Sequence, residues 1–169
     1  MKWWKVWFQA VVAVVLISCE TSPPVRVAEG RRIPLNPRWR YKPAPHEIGV
    51  YTFPETRVYF LPPEGPWSHT FLYYIFFPSG QVAAMIDQPD PPVPRRKFDS
   101  LAWSTVGYYR IDPAAKRLFL EVFSYRAGRW AWIYVRHEWE YRHDSIRSIK
   151  HGETYMRLWN AVVSVQPDW

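Results

Sequence analysis

Cysteine is almost absent from this chain: Cys19 is the only one among 169 residues. A single thiol cannot form a disulfide within the chain, and it cannot supply the set of thiolates that structural zinc sites use. The fold must therefore be held together by packing. Glycine is scarce too, with 7 residues against 17 prolines, and this balance predicts stiff connections between the elements of secondary structure.

The sequence also lacks the motifs of common enzyme classes. It contains no Gly-x-Ser-x-Gly elbow, no phosphate-binding glycine loop and no dinucleotide fingerprint. His137 and His143 share one face of a predicted strand, but about 20 Å of strand separates them, which is too far for one metal ion. We therefore predict no catalytic residues, no metal site and no cofactor.

One pair of carboxylates leaves a hydrolase as the less favoured alternative. Glu138 and Glu140 fall on one strand face about 7 Å apart, a separation that some glycosidases use. Arg136 and Arg142 stand on the same face, and this alternation of charge favours a solvated row of ion pairs. The simpler prediction is that the protein is not an enzyme.

The excess of positive charge is modest. The formal net charge is +7, and Lys2 and Lys5 contribute to it from the extreme N-terminus. An excess of this size can draw a protein toward anionic lipid or polymer, but it is too small and too dispersed to predict nucleic-acid binding.

Aromatic residues, in contrast, are abundant. Phe, Trp and Tyr make up 18% of the chain, and all but four of them lie beyond residue 18. Large rings favour strand surfaces over helix faces, and each buries roughly 150 to 250 Å². The composition therefore predicts an all-β domain with a ring-rich core.

The first 18 residues have the layout of a secretory signal. Lys2 and Lys5 precede an apolar run from Val6 to Ile17, and the small residue Ser18 follows. As a helix the run reaches about 20 Å, against roughly 30 Å of hydrocarbon in a bilayer. We therefore predict a removable signal peptide. An uncleaved anchor helix and an ordinary signal cleaved slightly later are the alternatives.

The end of this signal, Leu16-Ile17-Ser18-Cys19, resembles the lipobox of bacterial lipoproteins. The resemblance implies cleavage before Cys19, transfer of a diacylglyceryl group to its thiol and acylation of the new amino terminus, for example with palmitate. Two or three acyl chains hold a protein on a membrane, whereas one binds reversibly. Glu20 follows the cysteine, which by the same resemblance implies delivery to the outer membrane, facing the periplasm.

Residues 19–46 are predicted to be a basic, proline-rich linker between the lipidated cysteine and a folded domain at 47–169. The apolar residues of this stretch follow neither the period of a strand nor that of a helix, and its prolines prevent continuous pairing of strands. It is either a solvated spacer or a strap that lies on anionic headgroups. Trp39 and Tyr41 are rings that a linker cannot bury, so the part from Arg38 to Tyr41 is expected to dock onto the domain.

Beyond residue 47, short extended runs alternate with turn sequences. The predicted strands are Gly49 to Leu61, Thr70 to Phe77, Gln81 to Ile86, Val106 to Ile111, Arg117 to Tyr125, Arg129 to His143, Ile146 to Lys150 and Thr154 to Val165. About eight strands joined mainly by short connections predict an antiparallel up-and-down barrel, because closure removes exposed edges. A β-sandwich of the same strands is the alternative.

The strand from Arg129 to His143 has the clearest alternation. Val135, Trp139 and Tyr141 fall on one face, and the residues between them are mainly charged. Because neighbouring strand residues point to opposite sides, the first face is predicted to point into the barrel and the second to face water.

Several short motifs of this domain resemble the small lipocalin-like barrels of bacterial lipoproteins. They are Gly49-Val50-Tyr51 at the first strand, Phe77-Pro78-Ser79-Gly80 at a hairpin corner, Gly107-Tyr108-Tyr109-Arg110-Ile111 in the second half, and Trp139-Glu140-Tyr141 late in the chain. The resemblance covers most of the domain and implies a barrel that binds or carries, without specifying a ligand.

These features predict a lipid-anchored binding or interaction module of the cell envelope, with two candidate sites. An open interior would hold an apolar small molecule against the rings and side chains of Tyr73, Ile75, Tyr109, Phe123, Trp139 and Tyr141. Alternatively, the barrel is a scaffold and two proline-rich loops, 61–67 and 87–98, bind an envelope protein. The candidate loop contacts are Trp67, Arg95, Arg96, Lys97 and Phe98.

Overall fold

The computed structural model describes residues 25–28, 31–61, 71–87, 97–102, 104–126 and 131–169. It is an all-β structure with a single short 3-10 turn at Pro45–Glu47 in the described part. The strands are β1 (Val25–Ala28), β2 (Arg31–Pro34), β3 (Arg57–Leu61), β4 (Phe71–Phe76), β5 (Gln81–Asp87), β6 (Lys97–Phe98), β7 (Thr105–Asp112), β8 (Arg117–Arg126), β9 (Ala131–Tyr141), β10 (Ser145–Ser148), β11 (Thr154–Arg157) and β12 (Val162–Val163). None of the described residues forms a helix that could cross a membrane.

Eight of these strands close into one antiparallel barrel in the order β10-β11-β3-β4-β5-β7-β8-β9. Except for β6, which leaves the sheet, the order follows the chain, and β11 closes the ring on β3 through the pair Met156 and Phe60. The predicted up-and-down barrel is confirmed, and the alternative β-sandwich is wrong. Closure pairs every barrel strand on both sides, so no edge strand is left with unpaired amide and carbonyl groups.

Two of the expected strands are shorter than predicted. Residues 49–56, expected to begin the first strand, instead cross the end of the barrel at which β4, β7 and β9 finish, here called the lower end. Phe53 enters the core there, with 1% of its surface exposed. The main-chain oxygen of Tyr51 accepts a bond from the Ile111 amide at 2.8 Å, which fixes this crossing segment to β7. The last expected strand splits into β11 and β12, because the chain leaves the barrel at Leu158.

The barrel interior is a cluster of rings and aliphatic side chains. Its fully buried members include Tyr59, Phe76, Tyr109, Leu120 and Trp139. The inward face predicted for β9 is confirmed, since Trp139 is in this cluster and Val135 and Tyr141 pack against it. Strands therefore contribute alternate residues to the core, as their period of two requires.

The C-terminal segment covers the outside of β3, β4 and β5. Leu158, Val163 and Trp169 pack there against outward-facing residues of the sheet, with β6 paired in parallel to β12. The indole of Trp169 donates to the Gly107 oxygen at 3.2 Å. This second layer explains why both faces of β4 are buried.

The N-terminal segment covers the outside of β7, β8 and β9. An antiparallel hairpin of β1 and β2 is followed by a strap, residues 35–44, that descends the flank of the barrel. Trp39 lies between the rings of Tyr108 and Tyr134, at 5.4 and 5.0 Å between centroids. The docking predicted for Arg38 to Tyr41 is thus present in the structure, within the stretch predicted to be a linker.

Arg31 joins these two coverings. Its guanidinium lies 2.7 Å from the Asp168 carboxylate and 5.5 Å from the centroid of the Trp169 ring, and its side chain is almost fully buried. A buried cation held by a carboxylate and a ring fixes the hairpin next to the C-terminal segment.

The barrel has two unlike ends. Its lower end has the turns after β4, β7 and β9, together with the crossing segment 49–56, and is filled by Phe53. Its upper end has the connections after β3, β5, β8 and β10. The described strand ends next to the two proline-rich stretches, at Leu61, Phe71 and Asp87, are therefore all at the upper end.

Candidate functional site

The structure separates the six predicted ligand-lining residues. Tyr109, Trp139 and Tyr141 face the barrel interior. Tyr73 and Ile75 lie on the outer face of β4, under the C-terminal segment. These two corrections arise because the run from Phe71 to Phe77 is apolar on both faces, so its sequence does not reveal which residues point inward.

Phe123 is the third correction. Leu120 and Val122 of β8 belong to the interior, whereas the ring of Phe123 packs outside against Trp132 and Tyr134, at 5.5 and 5.3 Å between centroids. Phe123 is fully buried because the N-terminal covering lies over this face. It therefore supports the outer layer and does not line the interior.

The inward-facing rings touch across the middle of the barrel. Tyr74 of β4 and Trp139 of β9 stand 4.9 Å apart in a T-shaped contact, and Tyr155 stacks on Trp139 at 5.3 Å. Lower down, Phe76 contacts Tyr109 at 5.0 Å. At these levels the interior is occupied by side chains, so no drug-sized ligand fits there in this structure.

Phe53 fills the lower third of the barrel. Its ring lies 5.8 Å from Phe76 and 5.5 Å from Tyr109. Its amide donates to the Tyr109 hydroxyl at 3.0 Å, and that hydroxyl donates to the Phe77 oxygen at 2.8 Å. Burial raises the pKa of Tyr109, so the phenol stays neutral and keeps this chain of bonds.

The upper part of the barrel is different, because its apolar lining reaches the surface. Leu61, Leu72 and Ile86 are register partners on β3, β4 and β5, and Val135 projects inward from β9. We call these four residues the mouth. Ile86 follows Val82 and Ala84 on the inward face, yet 72% of its surface is exposed.

His137 lies below the mouth, one inward position from Val135. Its ring is 5.7 Å from that of Trp139. Burial, followed by the nearby positive charges of His151 and Lys150, lowers the pKa of His137. A neutral imidazole between the mouth and the ring layer can offer one donor and one acceptor to a bound group.

The predicted loop contacts fall mostly outside the described residues. Trp67, Arg95 and Arg96 are in the stretches 62–70 and 88–96, which the structure does not describe. Lys97 is in β6, and Phe98 is 3% exposed, with its ring 5.4 Å from that of Tyr73. Phe98 is therefore part of the packed outer layer, where it cannot serve as an exposed contact.

The carboxylates of the hydrolase alternative lie on the outer face of β9. Both Glu138 and Glu140 have an oxygen 3.8 Å from the same Arg117 nitrogen, and their side chains are about half exposed. Glu140 lines two surface pockets of about 180 and 200 Å³ that also contain Arg147. The solvated ion pairs predicted here are present, but their cation is Arg117 of β8, while Arg136 pairs with the buried Glu121.

Sequence patterns gave no sign of one buried carboxylate. Glu121 points outward from β8, yet it has no exposed surface. It accepts bonds from the Arg40 amide at 2.6 Å and from Nε of Arg136 at 2.7 Å. The ion pair in turn raises the pKa of Arg136. Glu121 is thus the polar anchor of the strap.

No group of three or more His, Cys, Asp or Glu side chains that could hold a metal ion occurs among the residues the structure describes. Comparison with protein-family models, with curated proteins and with solved structures finds no match to this chain. Function must therefore be inferred from the geometry above together with the sequence.

Proposed function

We propose that the protein is an exported lipoprotein of the bacterial cell envelope, anchored through Cys19, whose barrel is a scaffold and whose upper end binds an envelope protein. The observation behind this proposal is the contact of Tyr74 with Trp139, because rings that meet across the barrel leave no deep cavity for a carried molecule. Binding surfaces on such a scaffold concentrate in its connecting loops.

The mouth supports the choice of the upper end. Exposed apolar residues that adjoin each other are typical of an interaction surface, whereas scattered ones are ordinary. The exposed Ile86 adjoins the half-buried Leu72 as its register partner, and the two proline-rich loops begin within two residues of Leu61 and Ile86. The lower end, in contrast, is filled by Phe53.

Site-specific photo-crosslinking tests this proposal. A photoactivatable residue at position 86 of the full chain, irradiated in native membranes, is expected to give one discrete protein adduct. The same residue at position 138, on the solvated outer face of β9, is the control and is expected to give none. Equal, diffuse adducts from both positions would be evidence against a binding face at the upper end.

The mouth also favours a second candidate function, the binding of a small apolar ligand at shallow depth. Ile86 is the specific observation, since an inward-facing side chain with 72% exposure leaves apolar surface for a ligand to cover. An apolar fluorescent probe should then bind with saturation to the wild type and not to Leu72→Asp. Probe binding that is unchanged in this variant would place the ligand elsewhere.

A further inference from the structure

The flank formed by the hairpin and the strap is strongly basic. Its exposed cations are Arg26, Arg32, Arg38, Arg40 and Lys42. In the described residues up to 46 there is no Asp or Glu to balance them. We call these five cations, with Val27 and Leu35, the basic flank.

Among the residues that the structure describes, the carboxylates nearest the flank are already neutralised. Glu121 is buried against Arg136 and the Arg40 amide, and Asp168 is paired with Arg31. Lower on the same face of the barrel, Glu138 and Glu140 form a mixed row with Arg117. Within the described residues, the hairpin and the strap therefore carry positive charge that no carboxylate of their own balances.

Rings hold three of these cations in place. The Arg32 guanidinium lies 5.0 Å from the Trp132 ring, the Arg40 guanidinium lies 5.7 Å from Tyr41, and Nζ of Lys42 lies 5.3 Å from Tyr108. Cations fixed over rings along one flank lose less freedom on binding an anionic surface than mobile side chains do.

Apolar side chains stand among the cations. Val27 is 65% exposed and is the register partner of Arg32, while Leu35 is 52% exposed at the start of the strap. Tyr125 is also exposed, and its ring lies 5.6 Å from that of Trp132. Cations with interspersed Leu, Val, Trp and Tyr are the composition of surfaces that lie in a membrane interface.

Chain length brings this flank to the membrane. Cys19 precedes Val25 by six residues, and six residues of fully extended chain span at most about 21 Å. This step depends on the proposed anchor at Cys19. With that anchor the hairpin cannot leave the headgroup region by more than this length.

We propose that the basic flank docks on the anionic headgroups of the membrane that holds the protein, so that the barrel lies on its β7–β9 side. The mouth is at the same end of the barrel as the hairpin, since Arg32 contacts Trp132 near the upper end of β9. Docking therefore keeps the upper end close to the bilayer and orients it toward partners in the same membrane.

Labelled vesicles test the docking. The full chain carrying Val27→Cys, labelled with an environment-sensitive nitrobenzoxadiazole dye, is reconstituted in vesicles of phosphatidylcholine with or without phosphatidylglycerol. Blue-shifted emission and quenching by lipid-borne nitroxide are expected only with the anionic lipid. Leu35→Cys provides a second labelled site, and Met156→Cys, exposed on β11 across the barrel from β7, is the control whose emission should not change.

Removal of charges from the basic flank measures how strongly they contribute to docking. Each cation near an anionic surface is worth about five-fold in binding, so Arg26→Gln with Arg32→Gln should lower the docked-to-undocked ratio by about 25-fold. Equal emission from positions 27 and 156 in anionic vesicles would overturn the docking. So would a shift seen only in native membranes, because it would assign the flank to a protein partner.

Flotation of the vesicles separates this inference from the anchor. A chain that floats with neutral vesicles is anchored, whether or not the emission of the dye at position 27 changes. If the chain fails to float with neutral vesicles but its label at position 27 responds to anionic ones, the anchor is wrong and the docking stands.

Discussion

Tyr74 and Trp139 meet in the middle of the barrel, with their ring centroids 4.9 Å apart and their planes at 85°. Their strands, β4 and β9, stand four places apart in a ring of eight and are therefore diametrically opposite. A T-shaped contact between opposite walls means that the barrel is closed internally at this level. The functional surface must then lie above this layer or outside the barrel.

Removal of Trp139 should be costly. Trp139→Ala deletes a ring with 2% exposure that contacts Tyr74 and Tyr155, and we expect a loss of about 3 to 5 kcal/mol in the free energy of unfolding. Trp159→Ala is the matched control, because that ring is 54% exposed, and it should cost less than about 1 kcal/mol. Urea denaturation in mild detergent measures both. Similar losses would contradict the filled core.

Glu121→Gln should loosen the strap. The substitution replaces a charged acceptor of two bonds, from Arg40 and Arg136, with a neutral amide, at a cost of about 1.5 to 3 kcal/mol. Amide hydrogen exchange should rise in residues 38–42. Glu138 also points outward, from the neighbouring strand β9, but it is half exposed. Glu138→Gln should therefore change the free energy of unfolding by no more than about 0.5 kcal/mol. Unchanged exchange in Glu121→Gln would show that the rings alone hold the strap.

Substitutions at two glycines distinguish the cost of backbone strain from the cost of disturbing the packing of the strap. Gly49 and Gly80 both have φ of +82°, but a Cβ at Gly80 would lie 2.7 Å from Cδ of Pro43, whereas a Cβ at Gly49 would meet no atom within 4 Å. Gly49→Ala should cost about 1 to 2 kcal/mol for the left-handed backbone. Gly80→Ala should cost about 1 to 3 kcal/mol more, because Pro43 must move. Equal thermal shifts would mean that Pro43 does not press on this turn.

Acid should weaken the barrel through His137. Because burial lowers its pKa in the folded protein, the unfolded chain binds the proton more tightly, and stability is complete above the unfolded value of about 6.5 and declines as the pH falls below it. The melting temperature should therefore drop between pH 7.5 and pH 5. His137→Gln should show a smaller drop, while His143→Gln, on an exposed turn, should follow the wild type. Identical slopes in all three would exclude His137 as the cause.

The inward and outward faces of strands with alternating polarity could be predicted from the sequence. Along β9, charged residues mark the outer face, so the inward positions of Val135, Trp139 and Tyr141 were readable. In β4 the same reasoning failed for Tyr73 and Ile75. The C-terminal segment buries the outer face of that strand, and a strand that is buried on both sides has no polarity pattern.

The outer coverings were the least predictable part of the fold. Phe123 and Glu121 point outward and are fully buried, because the hairpin and strap lie over them. These contacts join residues 81 to 100 positions apart, and neither local propensity nor period encodes them. Only the rings of Trp39 and Tyr41, stranded in a proline-rich segment, signalled that part of it would dock.

Native mass spectrometry of the full-length product, extracted from its own membranes, tests the central claim most directly. The account predicts a polypeptide that begins at Cys19, with the mass of its acyl chains and no further small molecule retained. A stoichiometric apolar ligand that is present in the wild type and absent from Leu72→Asp would contradict the scaffold and establish a carrier in its place.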